Sequence, residues 1–463
     1  MMVYVFTKYG EAYAGWEFTE WEFQDYKIII QGTKLKEYQK LSTKEKTKEK
    51  ISEYGWIIPI NSIVGTLNSD VFNPTQPHHN SDRWYGEYER KVMFIFGAGA
   101  SANCVFGDEK DEFVNDVLRP PLGNSLFSKK FDTYYKKYKG VKQSLHQLQD
   151  SKVNVEEHFE KEWGNIVKDT NEEMMSRHIN IQYYLQDILR DVSENVIEKY
   201  FSKNLYAKLA YKLQIIHSSS VKIKYDRKEF KKFAFVSFNQ DYILDHFISE
   251  HFKKPLNSMD DYVNINDSPF CIFKPHGSSN WGWKFPDTSS FGDNTSSWLF
   301  DNKKNFFQLY FELLGNHVNM IDWSTWGHEL QISESGLGKH TIDKSQIKIV
   351  PKGNANDFYP ALLIPYRDKD EFTMPIRHFY NMHTYFSYIE TLVIIGWKGN
   401  EVAFNRQLTQ YSTMLKKVII ADPDAKLVAK NIEPLLKKYK ITPIIYENFE
   451  RFVDVGIDKE LTN

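Results

Sequence analysis

The sequence predicts an α/β fold, a Rossmann-like parallel sheet with helices packed on its faces. Two observations carry that prediction. Short, continuously apolar runs recur along the chain and alternate with helix-like segments, as buried parallel strands do. One of them, Val92–Phe96, runs straight into the glycine turn GAGAS, Gly97 to Ser101, followed by Ala102. Gly97, Gly99 and Ala102 fit the pattern G-x-G-x-x-A, which lets a strand turn sharply into a helix and lets a phosphate approach the backbone.

The chain has 463 residues, and 59 basic against 61 acidic residues leave a formal charge of −2. That near balance removes the charge argument for a general nucleic-acid binder. A hydrophobic fraction of 41% and an aromatic fraction of 16% are those of a chain with a packed core. Two cysteines, Cys104 and Cys271, exclude a disulfide scaffold and a cysteine-rich zinc site. No apolar run has the length of a membrane helix, and Met1–Trp16 lacks the pattern of a signal peptide. The expected setting is cytoplasmic, without membrane contact.

Taken in order, residues 1–90 read as an N-terminal appendage. It holds strand-like runs at Tyr26–Gln31 and Trp56–Leu67, a lysine-rich stretch at Lys34–Lys50, and a packing face of Trp16, Phe18, Trp21 and Phe23. Residues 91–455 form the α/β domain. Its next expected element is a helical insertion at about 141–232, where Ile181, Tyr184, Leu185, Ile188, Leu189 and Val192 follow helical spacing. The basic surplus from Lys208 to Lys232 reads as a solvated face. Further strands are expected at Phe233–Phe238, Cys271–Lys274, Ala361–Ile364, Thr391–Ile395 and Val418–Ala421. Residues 286–350, rich in Ser, Asp, Asn and Trp, read as a second insertion.

The candidate functional residues follow these runs, because an open parallel sheet binds ligands at the carboxyl ends of its strands. Asn239 and Asp241 come just after Phe233–Phe238, although an Asx turn capping the next helix explains an Asp there equally. His276 and Gly277 follow Cys271–Lys274. Gly396, Gly399 and Asn400 follow Thr391–Ile395, and Asp422 ends Val418–Ala421. No acidic residue stands at a strand end about 20 residues beyond the glycine turn, since Asp116 lies in an expected helix. That disfavours an ordinary dehydrogenase.

Together the clusters resemble the sirtuin family: GAG-x-S, then N-x-D, then HG-S, then G-x-x-G-N, then a strand with a polar tip. The resemblance covers about 91–130, 233–281 and 361–425. It implies a sirtuin-type NAD-binding fold with NAD+ as substrate. Gly97, Ala98, Gly99 and Ser101 would cradle the pyrophosphate, with Gly396 and Asn400 closing over it. Asp422 would hold the adenosine ribose. Asn239 would order the ribose and the attacking water, and His276 would be the general base. Asp241 would hold the nicotinamide amide or orient Asn239. Two departures narrow the implication. The chain has no CxxC pair, so the family's zinc module is absent and no metal is expected. Arg119–Phe127, RPPLGNSLF, replaces the family's usual segment with its Phe-Arg pair. That form resembles the sirtuin-like NAD-hydrolysing effectors of prokaryotic anti-phage defence. The resemblance then implies NAD+ glycohydrolysis, gating by homo-oligomer assembly or by a co-encoded sensor or ATPase, and no direct nucleic-acid binding. The competing readings are a protein deacylase or ADP-ribosyltransferase, and a non-catalytic sensor of NAD or ADP-ribose.

Overall fold

A computed structural model describes residues 92–135, 172–220, 232–263, 268–284 and 373–462 continuously, with short strands and single residues elsewhere. The centre is a six-stranded parallel sheet. Its strands, in chain order, are β1 (Val92–Phe96), β2 (Phe233–Ser237), β3 (Phe270–Phe273), β4 (Thr391–Ile395), β5 (Lys417–Ala421) and β6 (Ile444–Tyr446). Across the sheet they lie in the order β3-β2-β1-β4-β5-β6. This is the order of a doubly wound dinucleotide-binding sheet, with its switch point between β1 and β4. Every residue of β1, β2 and β3 is buried. Apolar side chains must therefore point to both faces, which is why these strands read as unbroken apolar runs.

Two expectations about the strands are corrected. The run Ala361–Ile364 is not a strand of the parallel sheet. The strand there is Phe358–Leu362, and it pairs antiparallel with Gly277–Lys284, which pairs in turn with Val318–Met320. Continuous apolar character marks burial, and it is silent on which sheet receives the strand. The parallel sheet instead gains β6, whose three residues are too few to carry a pattern.

The helices follow the strands. Helix α1 (Ala98–Ala102) leaves the glycine turn. The long α2 (Glu172–Lys199) and then α3 (Leu205–Ser219) come from the segment read as a helical insertion. All six periodic positions from Ile181 to Val192 are buried in the same core as the sheet. Asn204 caps α3, its side chain accepting from the Tyr206 N–H at 2.8 Å. Lys208 and Lys212 on α3 are not purely solvated. They pair with Asp454 and Asp458 at 2.5 and 2.6 Å, fastening α3 to the C-terminal helical segment. Helix α4 (Ile243–Phe252) follows β2, α5 (Ile376–Phe386) precedes β4, α6 (Val402–Tyr411) follows β4, and α7 (Ala425–Asn431) follows β5.

Within 1–90, strands Met2–Thr7, Ala12–Trp16 and Ile63–Asn68 form one antiparallel sheet. Trp21–Gln24, Lys27–Gln31 and Gly55–Pro59 form another. The run Trp56–Leu67 is thus two strands. Lys34–Lys50, Phe18 and most of 286–350 lie outside the described residues. Among the described residues no helix is long and apolar enough to cross a membrane.

Candidate functional site

The turns after β1, β2, β3 and β4 meet at the carboxyl edge of the sheet. Gly97 donates its N–H to the Ile395 carbonyl at 3.1 Å, and Gly99 donates to the Gly396 carbonyl at 3.2 Å. A Cβ on Gly97 would lie 2.5 Å from the Gly396 oxygen. Gly396 has φ +59°, and a Cβ there would lie 2.2 Å from the Ala100 nitrogen. The close backbone approach that the sequence analysis reserved for a pyrophosphate is therefore made by the second glycine turn. Ala98 is the exposed residue of this junction, with Gly99 partly exposed.

Asn239 follows β2 and is buried. Its Nδ2 donates to the Ser101 Oγ at 2.8 Å, with the Tyr206 hydroxyl at 3.4 Å. Its Oδ1 is buried and lacks a protein partner, a condition that calls for a bound donor. Ser101 is itself buried, and its Oγ lies 3.0 Å from the Tyr206 hydroxyl. The Ser101 hydroxyl faces the interior, against Asn239 and Tyr206, so only its backbone remains for the pyrophosphate cradle.

Asp241 is buried below this group and accepts the Ile243 N–H at 3.3 Å on Oδ1. It thus makes the Asx-type contact at the start of α4 that the sequence left open. Burial pushes its carboxyl above the usual range, while the Lys274 ammonium, the Ser101 hydroxyl and the Ile243 N–H pull it back. The Asp245 charge pushes it up again. Lys274, directly after β3, is wholly buried. It donates to the Asp241 carbonyl and pairs with Asp245 at 3.1 and 3.3 Å, and the Tyr262 hydroxyl donates to Asp245 at 3.1 Å. One lysine thus ties the loop after β2 to the loop after β3.

His276 is buried on that second loop, its ring packed edge-on against Phe238 with centroids 5.0 Å apart. Its backbone carbonyl accepts the Leu363 N–H at 2.9 Å and the Gln240 Nε2 at 3.2 Å. Gln240 donates as well to the Leu363 carbonyl. Asn239 and His276 are therefore held on adjacent strand ends, with Gln240 as the link. Gly277 has φ +74°, and a Cβ there would lie 2.0 Å from the Ala361 oxygen, which explains the glycine after the histidine. On the other side of Phe238, Trp397 stacks at 5.3 Å with the rings 4° from parallel. The Trp397 Nε1 donates to the buried Glu401 at 2.5 Å.

The remaining candidates lie farther along the edge. Asn400 is exposed, and its Oδ1 accepts from Asn431 on α7 at 2.9 Å. Asn400 thus secures its own loop, as Asn405 does through the Gly399 carbonyl at 2.7 Å. Asp422 directly follows β5 and accepts the Asp424 N–H at 2.7 Å. Burial raises its carboxyl, the Asp424 N–H lowers it, the Asp424 charge raises it and Lys398 lowers it. Arg119, the first residue of the RPPLGNSLF segment, donates Nε to the Ala102 carbonyl at 2.8 Å and so braces the end of α1. Asp116 stays in a structural role: burial alone would raise its carboxyl, but hydrogen bonds from the Leu118 N–H, Tyr200, Asn195 and Lys199 hold it below the usual range. Among the described residues, no cluster of three or more His, Cys, Asp or Glu could hold a metal ion.

Sequence reasoning missed Tyr206, Lys274 with Asp245, and Trp397. A lysine closing the apolar run FCIFK was a legible sign of a buried charge. Tyr206 carried no sign, since it is one aromatic among many in an amphipathic helix.

No protein-family model matches the chain, and no curated protein matches it. Among solved structures, a chain described as "Structural Basis for the Mechanism and Regulation of Sir2 Enzymes" superposes with a TM-score of 0.28 and 11% identity. That match covers 76% of this chain and 92% of the other.

Proposed function

We propose that the chain is an NAD+ glycohydrolase that cleaves NAD+ to nicotinamide and ADP-ribose. The observation that supports this reading best is the buried Asn239 Oδ1, without a protein partner, at the carboxyl end of β2. It lies beside the His276 loop, in a sheet of dinucleotide-binding strand order. In the reaction the bond between ribose C1′ and the nicotinamide nitrogen breaks. Its electron pair neutralises the pyridinium, and positive charge develops on the ribose as in other glycosyl cleavages. Asn239 Oδ1 accepts a hydrogen bond from the water or a ribose hydroxyl, holding the nucleophile against C1′. The water oxygen bonds to C1′ and its proton passes to the imidazole of His276, acting as the general base. The diphosphate would lie along Ala98 and Gly99, and the adenosine end toward Asp422.

We place this activity in anti-phage defence in the cytoplasm, silent until assembly or a co-encoded sensor or ATPase releases it. The resemblance carried by Arg119–Phe127, together with the missing CxxC pairs, supports that setting. The test is chromatography of nicotinamide and ADP-ribose from NAD+, with purified protein alone and with its genomic neighbour. Release lost in both Asn239→Ala and His276→Ala, with folding intact, is the expected result. Full release in both variants would overturn the mechanism. ADP-ribose bound in calorimetry without any turnover would favour the non-catalytic sensor instead.

A further inference from the structure

The Asn239 carboxamide has two ends, and only one of them suits the proposed chemistry. An acceptor turned to the substrate can hold a ribose hydroxyl or a water; an NH2 group cannot accept from either. The hydrogen-bond inventory around Ser101 decides which end is offered. A serine hydroxyl has one proton to give and two lone pairs to fill. The Asp241 carboxylate already accepts from the Ile243 N–H and is one of the groups hydrogen-bonded to Ser101. The nearby Lys274 charge favours the ionised carboxylate, which accepts only, so Ser101 gives its proton there. Both lone pairs of Ser101 must then be filled by donors. The Tyr206 hydroxyl at 3.0 Å is one, and burial, with the Asp241 charge adding to it, keeps that phenol protonated. The second donor has to be the Asn239 Nδ2 at 2.8 Å. The Tyr206 hydroxyl, 3.4 Å from Nδ2, itself accepts weakly from the same amide. Turning the carboxamide over would set Oδ1 against an oxygen with no proton left to give.

We propose that Tyr206, on a helix of the long connection between β1 and β2, is a positioning residue for Asn239. Through the Ser101 hydroxyl it holds Nδ2 toward the protein and leaves Oδ1 for a hydroxyl donor on the substrate or for the attacking water. Helix α3 therefore completes the site as well as packing behind it. The Asn204 cap and the Leu205 N–H, which donates to the Cys104 carbonyl at 2.6 Å, fix the first turn of α3 against the end of α1. Any movement of α3 relative to α1 would then reach the Asn239 amide within two hydrogen bonds.

The proposal deepens the glycohydrolase reading, and its test separates the two. The full chain is labelled with 15N-asparagine, and the Asn239 carboxamide signals are assigned by their loss in Asn239→Ala. One Nδ2 proton should exchange slowly with solvent in the wild type. Its shift and protection should change in Tyr206→Phe, which removes a single oxygen, and in Ser101→Ala. In the same preparations Tyr206→Phe should lower kcat for nicotinamide release by about tenfold, the effect of one misplaced hydrogen bond, with KM changed by less than about twofold. A purely structural role would instead lower the melting temperature and leave kcat per folded molecule intact. An unchanged Asn239 carboxamide in Tyr206→Phe overturns the proposal, whatever the activity. A wild type without nicotinamide release overturns the glycohydrolase reading, while the carboxamide signals still decide the role of Tyr206.

Discussion

Lys274→Met would remove the ammonium from a wholly enclosed pair. Lys274 is 0% exposed and Asp245 is 3% exposed, so water cannot replace the missing partner. Asp245 would keep one donor, the Tyr262 hydroxyl at 3.1 Å, and would lose both contacts to Nζ. Removing one member of a buried pair costs roughly 3–5 kcal/mol. The surviving tyrosine contact puts the expected loss near the lower end, about 3 kcal/mol, or a fall of about 5 °C or more in the melting temperature. The double variant Lys274→Met with Asp245→Leu leaves no charge stranded and should recover most of that loss, since an apolar pair of similar volume is often neutral or better. Activity should behave differently. Lys274 also donates to the Asp241 carbonyl, and no apolar side chain can replace that tie between the β2 and β3 loops. Melting followed by circular dichroism, beside nicotinamide release, checks both halves. A single variant within about 1 kcal/mol of wild type would refute the electrostatic reasoning. A double variant restored in both stability and turnover would refute the assignment of Lys274 to the site.

Other outcomes follow from single positions. Gly396→Ala should cost several kcal/mol, roughly 1–3 for a Cβ at positive φ and more for the clash with the Ala100 backbone; a melting temperature within a degree or two of wild type would contradict it. His383 on α5 is pushed down to about 4 by burial, although a bond to Gln407 resists. Its folded-state value lies below its ordinary 6.5, so its contribution to stability is complete above pH 6.5 and is lost as pH falls toward 4. Because the ring is partly exposed, the loss should be about 1–2 kcal/mol, below the full linkage of roughly 3. His383→Leu should flatten the acid side of a melting-temperature profile, and an unchanged slope between pH 6.5 and 4 would refute the assignment.

The parallel sheet was legible because its strands are buried on both faces. Val92–Phe96, Thr391–Ile395 and the run ending at Ala421 had no polar alternation to confuse them. The same criterion mistook Ala361–Ile364 for a member of that sheet, because burial does not name the neighbouring strand. Strand order is a long-range property. Nothing local in Ile444–Tyr446 marks it as the sixth strand beside β5. The helical face from Ile181 to Val192 was readable from its period. The polar residues of the same helix were not: Gln182 and Gln186 are buried and donate to the Leu362 and Trp281 carbonyls at 3.1 and 3.2 Å.

In the candidate site, the legible part was the part that sits on strand ends. Asn239, Asp241 and His276 could be picked out because a polar residue just after a buried strand is conspicuous. Their partners come from other elements, and a pattern search along the chain does not say which residue meets which. Tyr206 reaches Asn239 from a helix, and Lys274 reaches Asp245 from the end of the neighbouring strand. The glycines have a structural use of their own. Gly97, Gly99 and Gly396 were singled out for a ligand's approach, yet their bare backbones are already pressed against one another. A glycine pattern records that something must come close, and here two loops of one chain meet that requirement. What still calls for a ligand is a polar group the chain leaves unsatisfied, the Asn239 Oδ1. At this sheet edge the group that asks for a ligand is therefore an amide oxygen, more than the glycine motif that drew attention to it.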